Sequence, residues 1–221
     1  MDTDYGLRAA CGALGVAPME AQVAGLLRYT EELLRWGARI NLTGARTPEE
    51  FVRGQLVDAV SLLPELSKLP SLPLSGGGSW ADVGSGAGLP GIPLAILTPG
   101  VTWHLVEPRE KRWAFLVHVR HHLKLGNVQI HRARIEDAPL AEGILDGVIS
   151  RALGFDALAA YPWLRPGGVM AVVTGESLDP WGRAAKGLPL TPREPVALVR
   201  GGAVTGYLLT WTRADPEQGD G

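Results

Sequence analysis

The chain has 221 residues, above the ~100–200 of a single domain but short of two, and 46% of them are hydrophobic, enough for a substantial core. Its 21 basic and 23 acidic side chains leave a net charge of −2, which taken alone argues against a nucleic-acid binder, and its one cysteine, Cys11, excludes an internal disulfide or a multi-cysteine metal site. No apolar run reaches the ~18 residues of a membrane span and the first residues carry acids where an export signal carries positive charge, so a soluble cytoplasmic protein without membrane contact is expected.

The stretch PMEAQVAGLLRYTEELLRWG predicts a helix, with Val23, Leu26, Leu27, Leu34 and Trp36 near helical spacing, Pro18 at its start and Gly37 as its stop. TPEEFVRGQLVDAVSLL predicts another, opened by a capping box of Thr47 and Glu50 with Pro48 at the first helical position. Residues 64–79, PELSKLPSLPLSGGGS, have linker composition. The expected organisation is a helical cap over 1–66, a linker over 67–79, the main domain over 80–213 and a disordered tail over 214–221.

After the linker the pattern changes. WADVG and VTWHLVE read as strands, PREKRWAFLVHVRHHLKLG as a helix from Pro108 to a stop at Gly126, and VQIHRA and DGVISRA as further strands. LRPGGVMAVVTG is a turn running into a strand, and PVALVRGGAVTGYLLTWT a pair of strands joined at Gly201-Gly202. Strands alternating with helices imply an α/β fold with a doubly wound, mostly parallel sheet, here closed by an antiparallel edge hairpin.

Ligands of such sheets sit outside the carboxyl ends of the strands, where the connection order reverses. The first strand leaves through Gly84-Ser85-Gly86-Ala87-Gly88. No Lys-Ser/Thr pair follows, which excludes a P-loop. Two frames remain open. Gly86-Ala87-Gly88-Leu89-Pro90-Gly91 fits the dinucleotide pattern, with Glu107 downstream. The frame Asp82, Gly84, Gly86, Gly88 suits an adenosyl ligand that has no pyrophosphate and carries an ammonium for Asp82 to meet. In that frame Glu107, ending the second strand, bonds ribose hydroxyls, or serves as a helix N-terminal acid, or both.

Seven of the basic residues fall between Arg109 and Arg134 against one acid, Glu110. That segment is a candidate phosphate-binding patch despite the overall charge. His118, His121 and His122 stand at i, i+3 and i+4, but with no carboxylate nearby in sequence they read as a solvated basic face, and no metal is expected. The seven tryptophans read mostly as core: Trp36, Trp80, Trp103 and Trp113 lie in or beside predicted elements, and for Trp163 and Trp181, in turn-like stretches, stacking a base is the secondary reading. Asn41 and Thr43 suit a helix-ending turn as well as a ligand contact.

The segments WGARINLTG, GQLVDAVSLLP, DVGSGAGLPGIPLAI, EKRWAFL, LKLGNVQIHRARIED and DGVISRA together resemble the bacterial small-subunit ribosomal RNA methyltransferases also called glucose-inhibited division protein B. The resemblance covers most of residues 36–153. It implies a Rossmann-like class I methyltransferase fold, S-adenosylmethionine as the donor, and N7 of a guanine in the decoding-region loop of 16S rRNA, free or in the 30S particle, as the acceptor; the chain is read as a monomer. It further implies that Gly84 and Leu89 line the cofactor, that Ile135 and Glu136 flank its adenine, that Arg151 lies where cofactor and target base meet, and that Arg134 touches RNA; Lys111 and Arg112, from the basic segment, are read as further RNA contacts. The chain departs from the family pattern at Gln55, where a histidine is usual, at Val173-Thr174-Gly175, where Leu-Lys-Gly is usual, and near Thr205, where a basic residue is common. Those departures leave open a paralogue that binds cofactor and RNA without turnover, and the dinucleotide frame leaves open a small NAD-linked oxidoreductase.

The chemistry agrees with what is missing. Amino-group methylation uses an Asn/Asp-Pro-Pro-aromatic loop where this chain reads Ser150-Arg151-Ala152-Leu153, and pyrimidine C5 methylation needs a thiolate, for which Cys11 is badly placed. Guanine N7 needs neither.

Overall fold

The computed structural model describes residues 3–69, 77–175, 178–200 and 202–215. Helix α1 spans Thr3–Ala13 and α2 spans Glu20–Ile40. Helix α2 runs through Gly37, its expected stop. It ends where Asn41 adopts the left-handed conformation (φ 52°) and returns its N–H to Gly37 O at 3.2 Å. A glycine inside a helix only weakens it, whereas a left-handed residue reverses the chain, and asparagine tolerates that conformation.

Thr47 caps the next helical run as expected, its Oγ1 accepting the Glu50 N–H. The Glu50 carboxylate, however, reaches Arg46 N (2.8 Å) instead of closing the box on Thr47. The run comprises α3 (Pro48–Phe51), a π-turn (Val52–Leu56), α4 (Val57–Val60) and α5 (Leu62–Ser67). Residues 64–67, of linker composition although the cap was expected to reach residue 66, are thus helical, because Pro64 falls in a first turn where its missing N–H has no intrahelical partner to lose. Residues 70–76 of that linker, and 216–221 of the expected tail, lie outside the described residues.

Among the described residues eight strands form one sheet: β1 (Ser79–Val83), β2 (Thr102–Val106), β3 (Val128–His131), β4 (Leu145–Arg151), β5 (Leu164–Thr174), β6 (Leu190–Pro192), β7 (Val196–Arg200) and β8 (Ala203–Arg213). The order is β3-β2-β1-β4-β5-β8-β6, with β7 also on β8. All pairs from β3 to β5 are parallel, and β8 is antiparallel to β5, β6 and β7. The closing hairpin therefore does not simply add an edge: β8 is interior, and β6 and β7 share its outer side. Of the expected turn, Gly201 lies outside the described residues and Gly202 has a positive φ.

The inner parallel strands β1, β2 and β4 are buried on both faces, so their side chains alternate between two cores, whereas of the edge strand β3 only Val128 is buried. Trp80, Trp103, Leu105 and Ile149 pack with Leu26, Phe51 and Leu56 from the N-terminal helices and with α6 (Gly91–Leu97) and α7 (Glu110–His122). Ala81, Val83, Val148 and Met170 face the 3₁₀ segment Gly154–Trp163 and α8 (Leu178–Ala184). Gly147 in β4 is a spacing residue, since a Cβ there would lie 2.3 Å from the Trp80 indole. Helix α7 stops earlier than Gly126 predicts, because Lys124 takes the left-handed conformation (φ 55°) and Leu125 N–H returns to Arg120 O. No helix among the described residues is long and apolar enough to cross a membrane.

Candidate cofactor and substrate site

The strand order reverses at β1, between β2 and β4, and the glycine loop leaves its carboxyl end there. Gly84, Gly86 and Gly88 all have positive φ (72°, 58° and 86°), which side chains rarely adopt. A Cβ on Gly88 would lie 2.5 Å from Ile92 and one on Gly84 3.1 Å from Leu153, so these two also serve packing, whereas one on Gly86 would meet nothing closer than 3.7 Å.

The loop is braced from three elements. Gly84 and Ser85 donate their N–H groups to Val106 O (2.9 and 3.1 Å). Tyr29 on α2 donates its hydroxyl to Ala87 O at 2.7 Å. Glu107, 3% exposed, accepts Gly86 N–H on Oε2 (2.9 Å) and Arg109 N–H on Oε1 (2.8 Å), tying the loop to the start of α7.

Asp82 is fully buried beneath the loop and accepts the Gly91 N–H on Oδ2 at 2.9 Å. Its other oxygen has no hydrogen-bond partner, an expense that a buried carboxylate rarely carries. Burial pushes this carboxyl up to about 7; the Gly91 N–H opposes the rise, the Glu107 charge adds to it and Arg151 opposes it.

Two hollows open at this end of the sheet, one on either side of the segment 151–156. The smaller, about 120 Å³, lies between Gly84, Pro108 and Leu153 on one side and Arg134, Ile135 and Glu136 on the other. The larger, about 410 Å³, is walled by Asp58, Arg151, Phe155, Trp181, Thr174 and Arg200 among others. Arg151 Nη2 stands 3.5 Å from Asp58 Oδ2, and Arg200 Nη1 3.2 Å from Oδ1 of the same carboxylate.

A family model described as rRNA small subunit methyltransferase G matches residues 22–181. The chain belongs to the rRNA small subunit methyltransferase G family. A protein of that name from Cellvibrio japonicus is 38% identical over 167 residues, 73% of either chain, and one from Ectopseudomonas mendocina is 39% identical over 139 residues, 63% of this chain and 61% of its own length. The chain thus spans between three fifths and three quarters of these relatives. Among solved structures, geranyl diphosphate C-methyltransferase from Streptomyces coelicolor superposes with a TM-score of 0.58 at 16% identity, covering 90% of this chain and all of that one, a likeness of fold.

Within this chain, the residues expected around a cofactor converge. Asp82, Gly84, Gly86, Gly88, Leu89 and Glu107 surround the β1 exit, and Ile135 and Glu136 face Gly84 across the small hollow. Arg134 is on the same wall. Arg151 faces the large hollow. Lys111 and Arg112 line an open groove with Trp36, Asn41 and Arg109, and Arg112 also reaches the glycine loop, its Nη1 3.7 Å from where a Cβ on Gly86 would stand.

The structure also places the other residues that the sequence singled out. Arg120, part of the basic segment, donates to Val128 O at 2.6 Å and so helps hold α7 to β3. Trp163 is buried in the core, and Trp181 is buried as well, edge-on to Phe155 with ring centroids 4.7 Å apart; the ring offered to solvent is Phe155, 46% exposed. Gln55 is engaged, its Oε1 accepting the Thr43 hydroxyl at 3.0 Å, and Asn41 is the left-handed cap of α2. His118 and His122 do have a carboxylate: Glu32, from a helix 86 residues away in sequence from His118. Cys11 is buried in α1 and its thiol is pushed up by burial, which leaves it unsuited to thiolate chemistry. Sequence reasoning missed Tyr29, Asp58, Phe155 and Arg200: Asp58 stands inside GQLVDAVSLLP, but nothing in that segment singles out its carboxylate, and the other three are single residues outside the quoted motifs.

Proposed function

We propose that this chain transfers the methyl group of S-adenosylmethionine to N7 of a guanine in the decoding-region loop of 16S rRNA, as a monomer acting on naked rRNA or the 30S particle in the cytoplasm. The observation that carries the cofactor choice is the Gly91 N–H. A dinucleotide pyrophosphate needs free N–H groups at the helix following the loop. Here Gly91 gives its N–H to Asp82, Ile92 gives its own to Gly88 O, and Pro90 has none. That cradle is closed, and family membership points the same way.

The residues present fit the sulfonium cofactor. The orphaned Asp82 oxygen suits its ammonium, the bare Gly86 admits its backbone-close chain, and Glu107, with two bonds accepted, retains lone pairs for ribose hydroxyls. Ile135 and Glu136 flank the adenine in the small hollow, whose wall Gly84 completes; Leu89, packed against the core shared with the N-terminal helices, would meet the cofactor from the loop.

The bound donor supplies an electrophilic methyl group, and guanine N7 offers a free lone pair at neutral pH, so no residue has to remove a proton. What remains for the chain is alignment, worth up to about 7–11 kcal/mol in favourable cases. Arg151, oriented by Asp58, stands beside the large hollow where the base enters, and Phe155 offers it a stacking face. Arg200 and Arg134 stand where flanking phosphates pass, with Lys111 and Arg112 extending the track. N7 is hidden in the deep groove of an A-form helix, so the guanine must be looped or splayed out.

The test is incubation with methyl-labelled donor and either 30S particles or naked 16S rRNA, followed by strand scission at N7-methylguanine. Label at one guanine N7 is expected; absence of N7 label on both substrates overturns the proposal.

A further inference from the structure

We infer that Glu32, His118 and His122 form a binding site for a divalent transition metal of the zinc type, fastening α2 to α7. His118 and His122 are one turn apart on α7, so their imidazoles share a face, stacked with centroids 5.6 Å apart at 14°. Helix α2 lays Glu32 against that face. Its Oε2 is 2.7 Å from His118 Nε2 and its Oε1 3.7 Å from His122 Nε2. All three ligating atoms lie within 4.8 Å of one another, and among the described residues no other three His, Cys, Asp or Glu side chains converge in this way.

The chemistry of the set selects the ion. Two imidazole nitrogens and one carboxylate oxygen suit zinc, cobalt or nickel, whereas magnesium and calcium prefer oxygen alone. Ligands about 2.0–2.2 Å from a tetrahedral ion stand roughly 3.3 Å apart. The observed separations reach that by small side-chain rotations. The ring of His118 lies against Trp36, with centroids 5.1 Å apart, so packing restricts where its Nε2 can point.

Burial supplies the second argument. Glu32 is 2% exposed, and a carboxylate so removed from water needs compensating charge. Its partners are two half-exposed imidazoles and Arg35, whose Nη1 lies 2.9 Å from Oε1 on a side chain 66% exposed. A divalent ion compensates the carboxylate more completely, and Arg35 is free to swing into solvent as the ion enters. The exposed edges of His118 and His122 give the entry path and admit water as the fourth ligand.

The site is distinct from the loop that holds the cofactor, and the inference stands whether or not the proposed methylation does. Full-length, tag-free protein is stripped with chelator, then titrated with Co²⁺ by visible absorption and with Zn²⁺ by calorimetry. One equivalent of Co²⁺ with a low-symmetry d–d band, displaced by Zn²⁺, is expected. The melting temperature should rise by about 5–10 °C at a hundredfold excess of Zn²⁺ over its Kd. The His118→Ala/His122→Ala protein should lose at least a hundredfold in affinity while keeping the wild-type apo circular dichroism. Glu32→Gln should lose tenfold or more. Should the double variant not fold, His122→Gln, at a half-exposed position, must show the same loss. Zinc binding no tighter in wild type than in these variants, or a melting temperature indifferent to Zn²⁺, overturns the inference.

Discussion

Asp82 Oδ2 accepts the N–H of Gly91 at 2.9 Å, joining the end of β1 to the first residue of α6 across the glycine loop. A Cβ on Gly91 would lie 2.6 Å from that oxygen. Gly91→Ala is therefore expected to break the bond, lower the melting temperature by several degrees and weaken S-adenosylhomocysteine binding at least tenfold by calorimetry. Wild-type affinity in the variant would mean that the bond does not shape the cofactor site.

Cofactor affinity should depend on pH through Asp82. With its carboxyl at about 7, the group is largely protonated below neutrality, and a ligand ammonium favours the ionised form. The Kd for S-adenosylhomocysteine should rise about tenfold for each pH unit below 7 and level off above it. Asp82→Asn should bind more weakly and show a flat profile from pH 6 to 8.

Glu107 holds two backbone N–H groups besides its proposed ribose contact. Glu107→Ala orphans both, at a cost of about 1–3 kcal/mol each. The variant should lose both cofactor affinity and stability, and Glu107→Gln, which retains one acceptor oxygen, should lose less of each. Calorimetry and thermal melts on the pair decide the matter.

Arg151 and Phe155 should separate cofactor binding from RNA turnover. Arg151→Ala is expected to lower kcat by tenfold or more with little change in S-adenosylhomocysteine Kd. Removal of a base-stacking ring typically costs about 1–3 kcal/mol, so Phe155→Ala should raise KM for RNA roughly five- to a hundredfold. If cofactor affinity falls in step with turnover in both variants, the large hollow is not the base site.

Stability against pH should reveal two opposing groups. Burial, with His131 beside it, pulls His104 down to about 4. Between there and its ordinary 6.5 the unfolded chain takes a proton that the fold refuses, so this group makes stability fall as pH drops. Asp82 does the reverse: from 3.8 to about 7 the fold keeps a proton that the unfolded chain has lost, so its contribution falls as pH rises. Asp82→Asn removes the second trend, and its denaturation midpoint should climb more steeply than wild type between pH 4.5 and 6.5. Parallel profiles would show that Asp82 titrates normally.

The β1 exit was legible because it is local. Asp82, the loop glycines and Glu107 each sit at the end of a strand whose apolar run is visible in sequence, and a parallel sheet brings strand ends together whatever the details. Helix ends were read less well. Gly37 and Gly126 are plausible stops by composition, yet the left-handed residues are Asn41 and Lys124. Glycine permits that conformation without compelling it, and tertiary packing chose where each helix turned away.

The amino-acid order by itself determined the doubly wound sheet, the glycine turn that leaves β1 and the family. Alternation of apolar runs with helical periods, and glycines where only a positive φ will serve, are properties of neighbouring residues. Only the tertiary structure decided that Gly91 spends its N–H on Asp82, that Asp58 gathers Arg151 and Arg200, and that Glu32 meets two histidines of another helix. Those groups lie far apart along the chain, and no local pattern records a contact made by the packing of one helix or strand end against another.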